Sequence, residues 1–209
     1  MKKTDFLKVY VSALPSLYEG KALYPKERQN YVDNIKNSKQ KNEIHFVWCL
    51  LEYAITKEFN FDFDKFNFKI NPNGRWSCDI CDFSISHCDG AVAVAISNAS
   101  VGIDIEKNTT PKSKAFASRT LTEKELIEYT LLCDDDKNDY LIEKWTQKEA
   151  IFKSLNQSCF IPANIDTISI KSFSQKISFN DSEEYVLSVF SKKQIPPKIE
   201  YVANHKILL

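Results

Sequence analysis

The stretch at residues 99–108, ASVGIDIEKN, combines the alternation of a β-strand with two carboxylates on one face. Successive side chains of an extended chain point to opposite sides. One side of this strand carries Val101, Ile103 and Ile105. The other side carries Gly102, Asp104 and Glu106. Two carboxylates held this close repel each other and shift one pKa upward. The stretch therefore predicts a strand whose polar face meets a positive group.

The composition is that of a soluble globular protein, with 43% hydrophobic and 27% charged residues in 209. Its 28 basic and 28 acidic residues cancel, which argues against broad electrostatic binding to nucleic acid or to an anionic membrane. No apolar run reaches the ~20 residues that span a bilayer. Lys8 interrupts the apolar residues near the start, so we interpret residues 1–15 as a first strand and not a signal peptide. We expect a cytoplasmic protein whose cysteines stay reduced.

The cysteines give a weak metal signal. The spacing of Cys78, Cys81 and Cys88, with His87, resembles that of metal ligands, but there is no second Cys-x-x-Cys pair to close a structural zinc site. Buried or half-buried thiols are the favoured interpretation. Cys49 and Cys133 lie in apolar helical stretches and are predicted to be core.

Hydrophobic periodicity divides the chain into two similar halves. Helices are predicted at 24–37, 39–59, 122–133 and about 138–156, the third opening on a capping box of Thr122 and Glu125. Strands are predicted at 61–70, 82–87, 91–97, 100–106, 166–173, 174–179, 184–191 and 198–205. We expect an α+β fold of two similar-sized halves, residues 1–100 and 101–209, each a small, mostly antiparallel sheet packed with helices.

A second informative stretch is EKWTQKEAIFKSL, residues 143–155. At helical spacing, an apolar stripe contains Leu141, Trp145, Phe152 and Leu155. Glu149 lies at the edge of this stripe, and Lys153 follows one turn later. Taken alone, they form a surface pair on a helix, just as Asp104 and Glu106 alone suit a solvated sheet face. Taken together, the two stretches offer three carboxylates, which suit Mg²⁺ and a phosphate-bearing substrate.

These two stretches closely resemble the paired signature of the 4′-phosphopantetheinyl transferases, VGIDIE followed about forty residues later by WTQKEAIFK. The preceding segment FSISHCDGAVAVAI and the GRW turn at 74–76 are also similar to that family. The length and two-part layout look like the surfactin-synthetase-activator type, in which one chain holds two pseudo-symmetric α/β halves. The resemblance therefore implies a monomer with its active site in the cleft between the halves. The resemblance implies an enzyme that moves the phosphopantetheine arm of coenzyme A to a serine of an apo acyl or peptidyl carrier protein, releasing adenosine 3′,5′-bisphosphate.

The resemblance also implies roles for individual residues. The metal ligands are Asp104, Glu106 and Glu149, holding Mg²⁺, or Mn²⁺ in its place, against the pyrophosphate. Glu149, or a metal-bound water, deprotonates the serine, and Lys153 stabilises the leaving group. The coenzyme A contacts are Gly74 and Arg75 at the adenine, Ser86 and His87 at phosphates, and Lys148 and Lys153. By the resemblance, the nucleotide binds to the first half, and the second half carries the metal and the catalytic helix.

One part of the family pattern is missing. The family often has an Arg-Ser or Arg-Thr pair at the start of the long N-terminal helix, gripping the 3′-phosphate of coenzyme A. Residues 37–46 read NSKQKNEIHF here, with Lys39 and Lys41, while Lys26 and Arg28 lie upstream. The sequence therefore assigns no residue to the 3′-phosphate, and it does not identify the carrier protein.

Two alternatives use the same residues. The first is a non-catalytic module that binds coenzyme A or a carrier protein and shows no magnesium-dependent turnover. A magnesium-dependent nuclease or phosphohydrolase also uses carboxylates and a lysine. Restriction-type nucleases carry an acid-x-Lys motif on a strand, whereas here Glu149 and Lys153 are spaced for a helix, and there is no basic surplus for DNA.

Overall fold

The computed structural model describes residues 5–16, 22–60, 62–108, 113–155 and 157–207. The strands are β1 Leu7–Ala13, β2 Phe68–Ile70, β3 Trp76–Cys78, β4 Asp82–Cys88, β5 Ala91–Ser97, β6 Val101–Lys107, β7 Phe173–Asn180, β8 Glu183–Ser191 and β9 Lys198–Tyr201. The α-helices are α1 Lys26–Asp33, α2 Ser38–Phe59, α3 Lys114–Thr120, α4 Glu123–Leu131, α5 Asp134–Leu155 and α6 Asn204–Ile207. Short 3₁₀ turns lie at Phe63–Lys65 and Pro162–Asn164.

The strands form a four-stranded sheet in the order β4-β5-β1-β9, a three-stranded sheet in the order β6-β8-β7, and a small β2-β3 pair. Every pairing is antiparallel except β1 with β9. This confirms the α+β class with small, mostly antiparallel sheets packed with helices. The β9 strand, from the end of the chain, joins the sheet built by the first half. The division into halves at residue 100 stays a prediction.

The apolar stripe of α2 forms the core on one side of the four-stranded sheet. Its predicted positions, Ile44, Val47, Trp48, Leu51 and Ala54, are all at most 4% exposed. They pack with Phe83 of β4 and with Val92, Val94 and Ile96 of β5. An apolar face on a helix must be covered by another element, and here the sheet covers it.

The strand β6 separates its two faces as the alternation predicts. Val101, Ile103 and Ile105 are fully buried in a core shared with residues of β1, β5 and β8. The opposite face meets α5, and Gly102 lies directly against the backbone of this helix. A Cβ atom there would lie 1.8 Å from the carbonyl oxygen of Ala150. Glycine therefore lets the helix lie directly on the strand that carries Asp104.

Side chains of β4 join the two sheets along their neighbouring edges. The N–H of Val101 donates to Asp82 Oδ2 at 2.8 Å. The N–H groups of Ile103 and Ile105 donate to Ser84 Oγ and Ser86 Oγ at 3.1 and 3.3 Å. Backbone N–H groups at a buried sheet edge need partners. Alternate residues of β4 supply them, and this fixes β6 against the first sheet.

Several sequence predictions were wrong. Most of residues 62–70 is not a strand, because Phe63–Lys65 form a 3₁₀ turn that brings the ring centroids of Phe63 and Phe68 to 4.8 Å. Five residues of extended chain would separate them by roughly 16 Å. Residues 166–172 form a turn in which Asp166 Oδ1 accepts the N–H groups of Ile168 and Ser169.

Other differences concern boundaries and burial. The helix α5 begins at Asp134, four residues before the predicted start, and β9 ends at Tyr201, after which α6 follows. The helix α3 was not predicted. Leu155 and Cys133 are exposed, contrary to their predicted burial. In the described part of the chain, no helix is long and apolar enough to cross a membrane.

Candidate active site

An ion pair joins the two informative stretches. Lys153, in the last turn of α5, places Nζ 2.7 Å from Oδ1 of Asp104 on β6. Ser86 of β4 donates its hydroxyl to the same oxygen at 2.7 Å, and Lys153 Nζ lies 3.2 Å from Ser86 Oγ. Asp104 is 4% exposed, and its second oxygen, Oδ2, is buried without a hydrogen-bond partner among the described residues. The positive group predicted for the face of β6 is therefore the lysine, and one carboxylate oxygen is left over.

Glu149 lies one turn before Lys153 on the same helix, near the carboxylates of β6. Burial raises the pKa of Glu149 to about 7, with the charges of Asp104 and Glu106 acting in the same direction and that of Lys153 opposing them. The three predicted metal ligands are thus close enough for their charges to interact. Within the described residues, however, no group of three His, Cys, Asp or Glu side chains is arranged as a ready metal-binding cluster.

His87 follows Ser86 on β4 and faces a carboxylate that the sequence analysis missed. Its Nδ1 lies 3.3 Å from Oε2 of Glu43 on α2. Burial lowers the pKa of His87, and the charges of Lys153 and Arg28 lower it further, against the opposing effect of Glu43. The lowered pKa favours the neutral imidazole, and a partner from α2 holds the ring. No local pattern around Glu43 marks it, because α2 and β4 meet only in the tertiary structure.

The GRW turn borders a cavity that leads to Lys153. Gly74 closes the turn, with its N–H donating to the carbonyl oxygen of Asn71 at 2.8 Å and with φ +84°. Nothing lies within 4 Å of the position that a Cβ atom would take there. The cavity, of about 290 Å³, is lined by Gly74, Arg75, Phe152, Lys153 and Arg28 among others. Apolar and cationic groups together make it a suitable place for an aromatic ring attached to an anion.

Arg75 is committed largely to the protein itself. One Nη atom lies 2.6 Å from Oδ2 of Asp82 and 2.8 Å from the carbonyl oxygen of Val101. The other lies 3.3 Å from the carbonyl oxygen of Ser154. These contacts attach the start of β6 and the end of α5 to β4. Arg75 therefore helps to place Asp104 and Lys153.

Arg28 of α1 lines the same cavity, and the sequence analysis gave it no role. Its guanidinium lies over the rings of Trp48 and Tyr31, at 5.3 and 5.2 Å from their centroids. Its Nε is buried without a hydrogen-bond partner among the described residues. Burial lowers its pKa, which indicates a cation short of solvent. Such a group is available to an anionic ligand.

Lys148 is not brought together with these residues. Its side chain is fully buried on another face of α5, where Nζ lies 2.6 Å from Oε2 of Glu125 and 3.0 Å from the carbonyl oxygen of Pro162. Glu125 also accepts the N–H and hydroxyl of Thr167. The capping-box prediction for Thr122 and Glu125 is confirmed. Lys148 therefore pairs with a buried residue of the protein and is not exposed to a ligand.

Comparison with known proteins agrees with the signatures. The model of the 4′-phosphopantetheinyl transferase superfamily matches residues 100–204, half of the chain. The 4′-phosphopantetheinyl transferase gsp of Aneurinibacillus migulanus is 26% identical over 166 residues, which are 79% of this chain and 69% of gsp. The 4′-phosphopantetheinyl transferase Sfp of Bacillus subtilis (strain 168) is 29% identical over 126 residues, 58% of this chain and 54% of Sfp. The chain belongs to the 4′-phosphopantetheinyl transferase superfamily.

Proposed function

We propose that this protein transfers the 4′-phosphopantetheine group of coenzyme A to a serine hydroxyl of an apo acyl or peptidyl carrier protein, releasing adenosine 3′,5′-bisphosphate. The observation that carries the proposal is the cluster at the end of α5. Lys153 and Asp104 are 2.7 Å apart, Glu149 is one turn away, and a cavity of about 290 Å³ opens beside the lysine. The relatives gsp and Sfp are named 4′-phosphopantetheinyl transferases.

The carboxylates of this cluster fit a magnesium ion. Asp104 keeps one buried oxygen without a partner among the described residues, and burial, together with the charges of Asp104 and Glu106, raises the pKa of Glu149 to about 7. Hard carboxylate oxygens are the protein ligands that Mg²⁺ prefers. We infer that Asp104, Glu106 and Glu149 hold Mg²⁺, or Mn²⁺ in its place. When bound, the ion neutralises the negative charge of the pyrophosphate.

The transfer itself requires a base and a cation. The serine oxygen of the carrier attacks the phosphorus that carries the pantetheine arm. The bond between this phosphorus and the bridging oxygen of the pyrophosphate breaks. Glu149 takes the proton of the serine, since a carboxylate of raised pKa near 7 is a suitable base at neutral pH. Lys153 faces the developing negative charge on the leaving adenosine 3′,5′-bisphosphate.

The cavity beside Lys153 suits the nucleotide of coenzyme A. Gly74 leaves open space where the adenine would lie, and Phe152 offers an apolar contact. His87 and Ser86 border the phosphates. We propose Arg28 as a further phosphate contact, because its guanidinium lines the cavity with a buried Nε that has no partner among the described residues. This supplies a cation where residues 37–46 lack the family's arginine pair. We propose a monomer acting in the cytoplasm.

The test is an intact-mass measurement. Apo acyl carrier protein and apo peptidyl carrier protein are each incubated with the protein, coenzyme A and Mg²⁺, and EDTA replaces Mg²⁺ in a parallel arm. We expect a gain of one phosphopantetheine group that EDTA abolishes. If calorimetry shows that coenzyme A binds but neither carrier protein gains mass, the protein is a binding module, and the transferase proposal is contradicted. Nucleic acid cleaved without coenzyme A would favour the nuclease alternative.

Two variants test the residue assignments in the same assay. Lys153→Met and Asp104→Asn should each lower the transfer rate by roughly 10²- to 10³-fold, since each removes a charge that the transition state uses. The matched control is Lys206→Met, which neutralises an exposed lysine of α6. Wild-type rates in Asp104→Asn would contradict the metal assignment.

A further inference from the structure

Two cysteines of the turn between β3 and β4 lie against each other. Cys78 ends β3, Cys81 precedes β4, and their Sγ atoms are 3.5 Å apart. Cys78 Sγ also lies 3.1 Å from the carbonyl oxygen of Cys81, so the turn folds back over the first thiol. Two intervening residues are the spacing of the Cys-x-x-Cys motifs in which thiols are reactive. The sulfurs are therefore juxtaposed before any bond joins them.

The pair is accessible from outside. An open surface cavity of about 540 Å³ is lined by Cys78 and Cys81, together with Asp79, Asn98 and Lys193 among others. Cys81 is buried, at 7% exposed, whereas Cys78 is half-buried. Cys78 is therefore the more accessible of the two thiols to a small molecule in this cavity.

The two thiols also differ in acidity. The hydrogen bond from Cys81 lowers the pKa of Cys78, and the backbone at Cys81 and Ile80 lowers it further against the effect of burial. The same contact, together with burial, raises the pKa of Cys81. The thiolate is the nucleophile of thiol chemistry. Cys78 is the more exposed of the two thiols as well as the one whose pKa is lowered, so it is the attacking sulfur and Cys81 the resolving one.

We propose that Cys78 and Cys81 form a reversible thiol–disulfide modification site that reacts with small-molecule disulfides such as oxidised glutathione. The Cys78 thiolate attacks one sulfur of that disulfide, an S–S bond forms to Cys78, and one small-molecule thiolate leaves. Cys81 then loses its proton and attacks the Cys78 sulfur, which expels the second thiolate. Two protein thiols are oxidised, and one disulfide is reduced to two thiols.

The site lies next to a residue that anchors the proposed active site. Asp82 follows Cys81 directly, and its carboxylate holds Arg75 and the N–H of Val101. Closing the bond would bring the sulfurs from 3.5 Å to about 2 Å. The turn that carries Asp82 must tighten, and this gives the modification a direct physical path to β6.

The test uses the full chain in buffers of fixed oxidised and reduced glutathione. Free thiols are then alkylated, and the peptides are identified by mass. We expect the peptide that contains residues 78–81 to lose two hydrogen atoms and to resist alkylation, and dithiothreitol to reverse both changes. Cys81→Ser should stop at a glutathione adduct on Cys78, and Cys78→Ser should leave Cys81 alkylatable.

The matched controls are the exposed thiols Cys133 and Cys159. Cys133→Ser should leave closure of the pair unchanged, because this thiol lies elsewhere on the surface. If Cys78 and Cys81 both stay alkylatable under conditions in which Cys133 gains glutathione, the site does not exist as proposed. The same holds if Cys81→Ser accumulates no adduct on Cys78. Neither result depends on transferase activity. The thiol–disulfide proposal is therefore tested independently of the proposed function.

Discussion

Arg75 and Asp82 together hold both backbone groups of Val101. The carboxylate of Asp82 accepts its N–H at 2.8 Å, and the guanidinium of Arg75 donates to its carbonyl oxygen at 2.8 Å. The two side chains are themselves 2.6 Å apart. Arg75 also reaches the carbonyl oxygen of Ser154, the residue after Lys153. One ion pair thereby sets the positions of the strand and the helix whose side chains form the proposed site.

Breaking this ion pair should impair turnover more than coenzyme A binding. In Asp82→Asn, β6 loses its charged anchor, and a shift of about 1 Å at Asp104 is enough to lower kcat by roughly ten- to a hundredfold. We expect KM for coenzyme A to change far less. The measurement is steady-state transfer at varied coenzyme A, with thermal unfolding to establish that the variant folds.

The control for this prediction is Asp79→Asn, since Asp79 accepts a hydrogen bond from the exposed Asn67 and does not contact Arg75 or Val101 in the described contacts. Arg75→Lys, which cannot reproduce the forked contacts, should act on kcat as Asp82→Asn does, and the double variant should be little worse than either single one. An Arg75→Lys effect confined to KM would show that Arg75 acts as a direct phosphate contact instead.

Gly102 should tolerate no side chain. In Gly102→Ala, the Cβ atom would lie 1.8 Å from the backbone oxygen of Ala150, so α5 must move away from β6. We expect the free energy of unfolding to fall by about 3 kcal/mol. Urea denaturation followed by circular dichroism measures this. The comparison is Gly74→Ala, where space is open but φ is +84°, and a cost of only about 1 kcal/mol follows from the backbone conformation. Equal losses in both variants would contradict the close contact.

The faces of the elements could be read from the sequence, but their partners could not. The alternation in β6 and the stripe of α2 were predicted correctly, because the periods of strand and helix are local properties. The capping box was also found, because its two residues are three apart. The contacts of Asp82, Ser84 and Ser86 with β6 involve residues 19 apart, in strands whose pairing no local pattern reveals. The same limit hid Arg28 and Glu43.

Glu149 should make the metal-free protein less stable as pH rises. Its pKa is about 7 in the folded protein and 4.5 as an ordinary carboxyl group. Between these values the folded state binds more protons than the unfolded state, so this group's contribution to stability is complete below about pH 4.5 and is lost towards pH 7. Urea unfolding in EDTA across this range should show a decline that is reduced in Glu149→Gln. His87 also has a shifted pKa, but its contribution is present in both proteins and cancels in the difference between their free energies of unfolding. A difference that stays constant with pH would refute the raised pKa of Glu149.

Lys148 should matter for stability and not for coenzyme A binding. Both Lys148 and its partner Glu125 have side chains that are 0% exposed, and their charged atoms are 2.6 Å apart. In Lys148→Met, the charge of Glu125 stays buried without its main partner, at a cost of about 3–5 kcal/mol. Urea unfolding measures the loss, and calorimetry of the folded variant with coenzyme A should give the wild-type Kd.

The double variant separates this role from that of a ligand contact. Glu125→Gln added to Lys148→Met removes the stranded charge while keeping hydrogen-bonding atoms near Thr167, so part of the lost stability should return. If Lys148 contacted a phosphate instead, the single variant would bind coenzyme A about tenfold or more weakly, since a lost charge-assisted hydrogen bond costs over 1 kcal/mol. The double variant would not restore that affinity, because its second change lies on the far side of α5 from Lys153. Recovery of stability with unchanged affinity therefore identifies the pair as the element that fixes α5 to α4 while the other face of the helix carries Glu149 and Lys153.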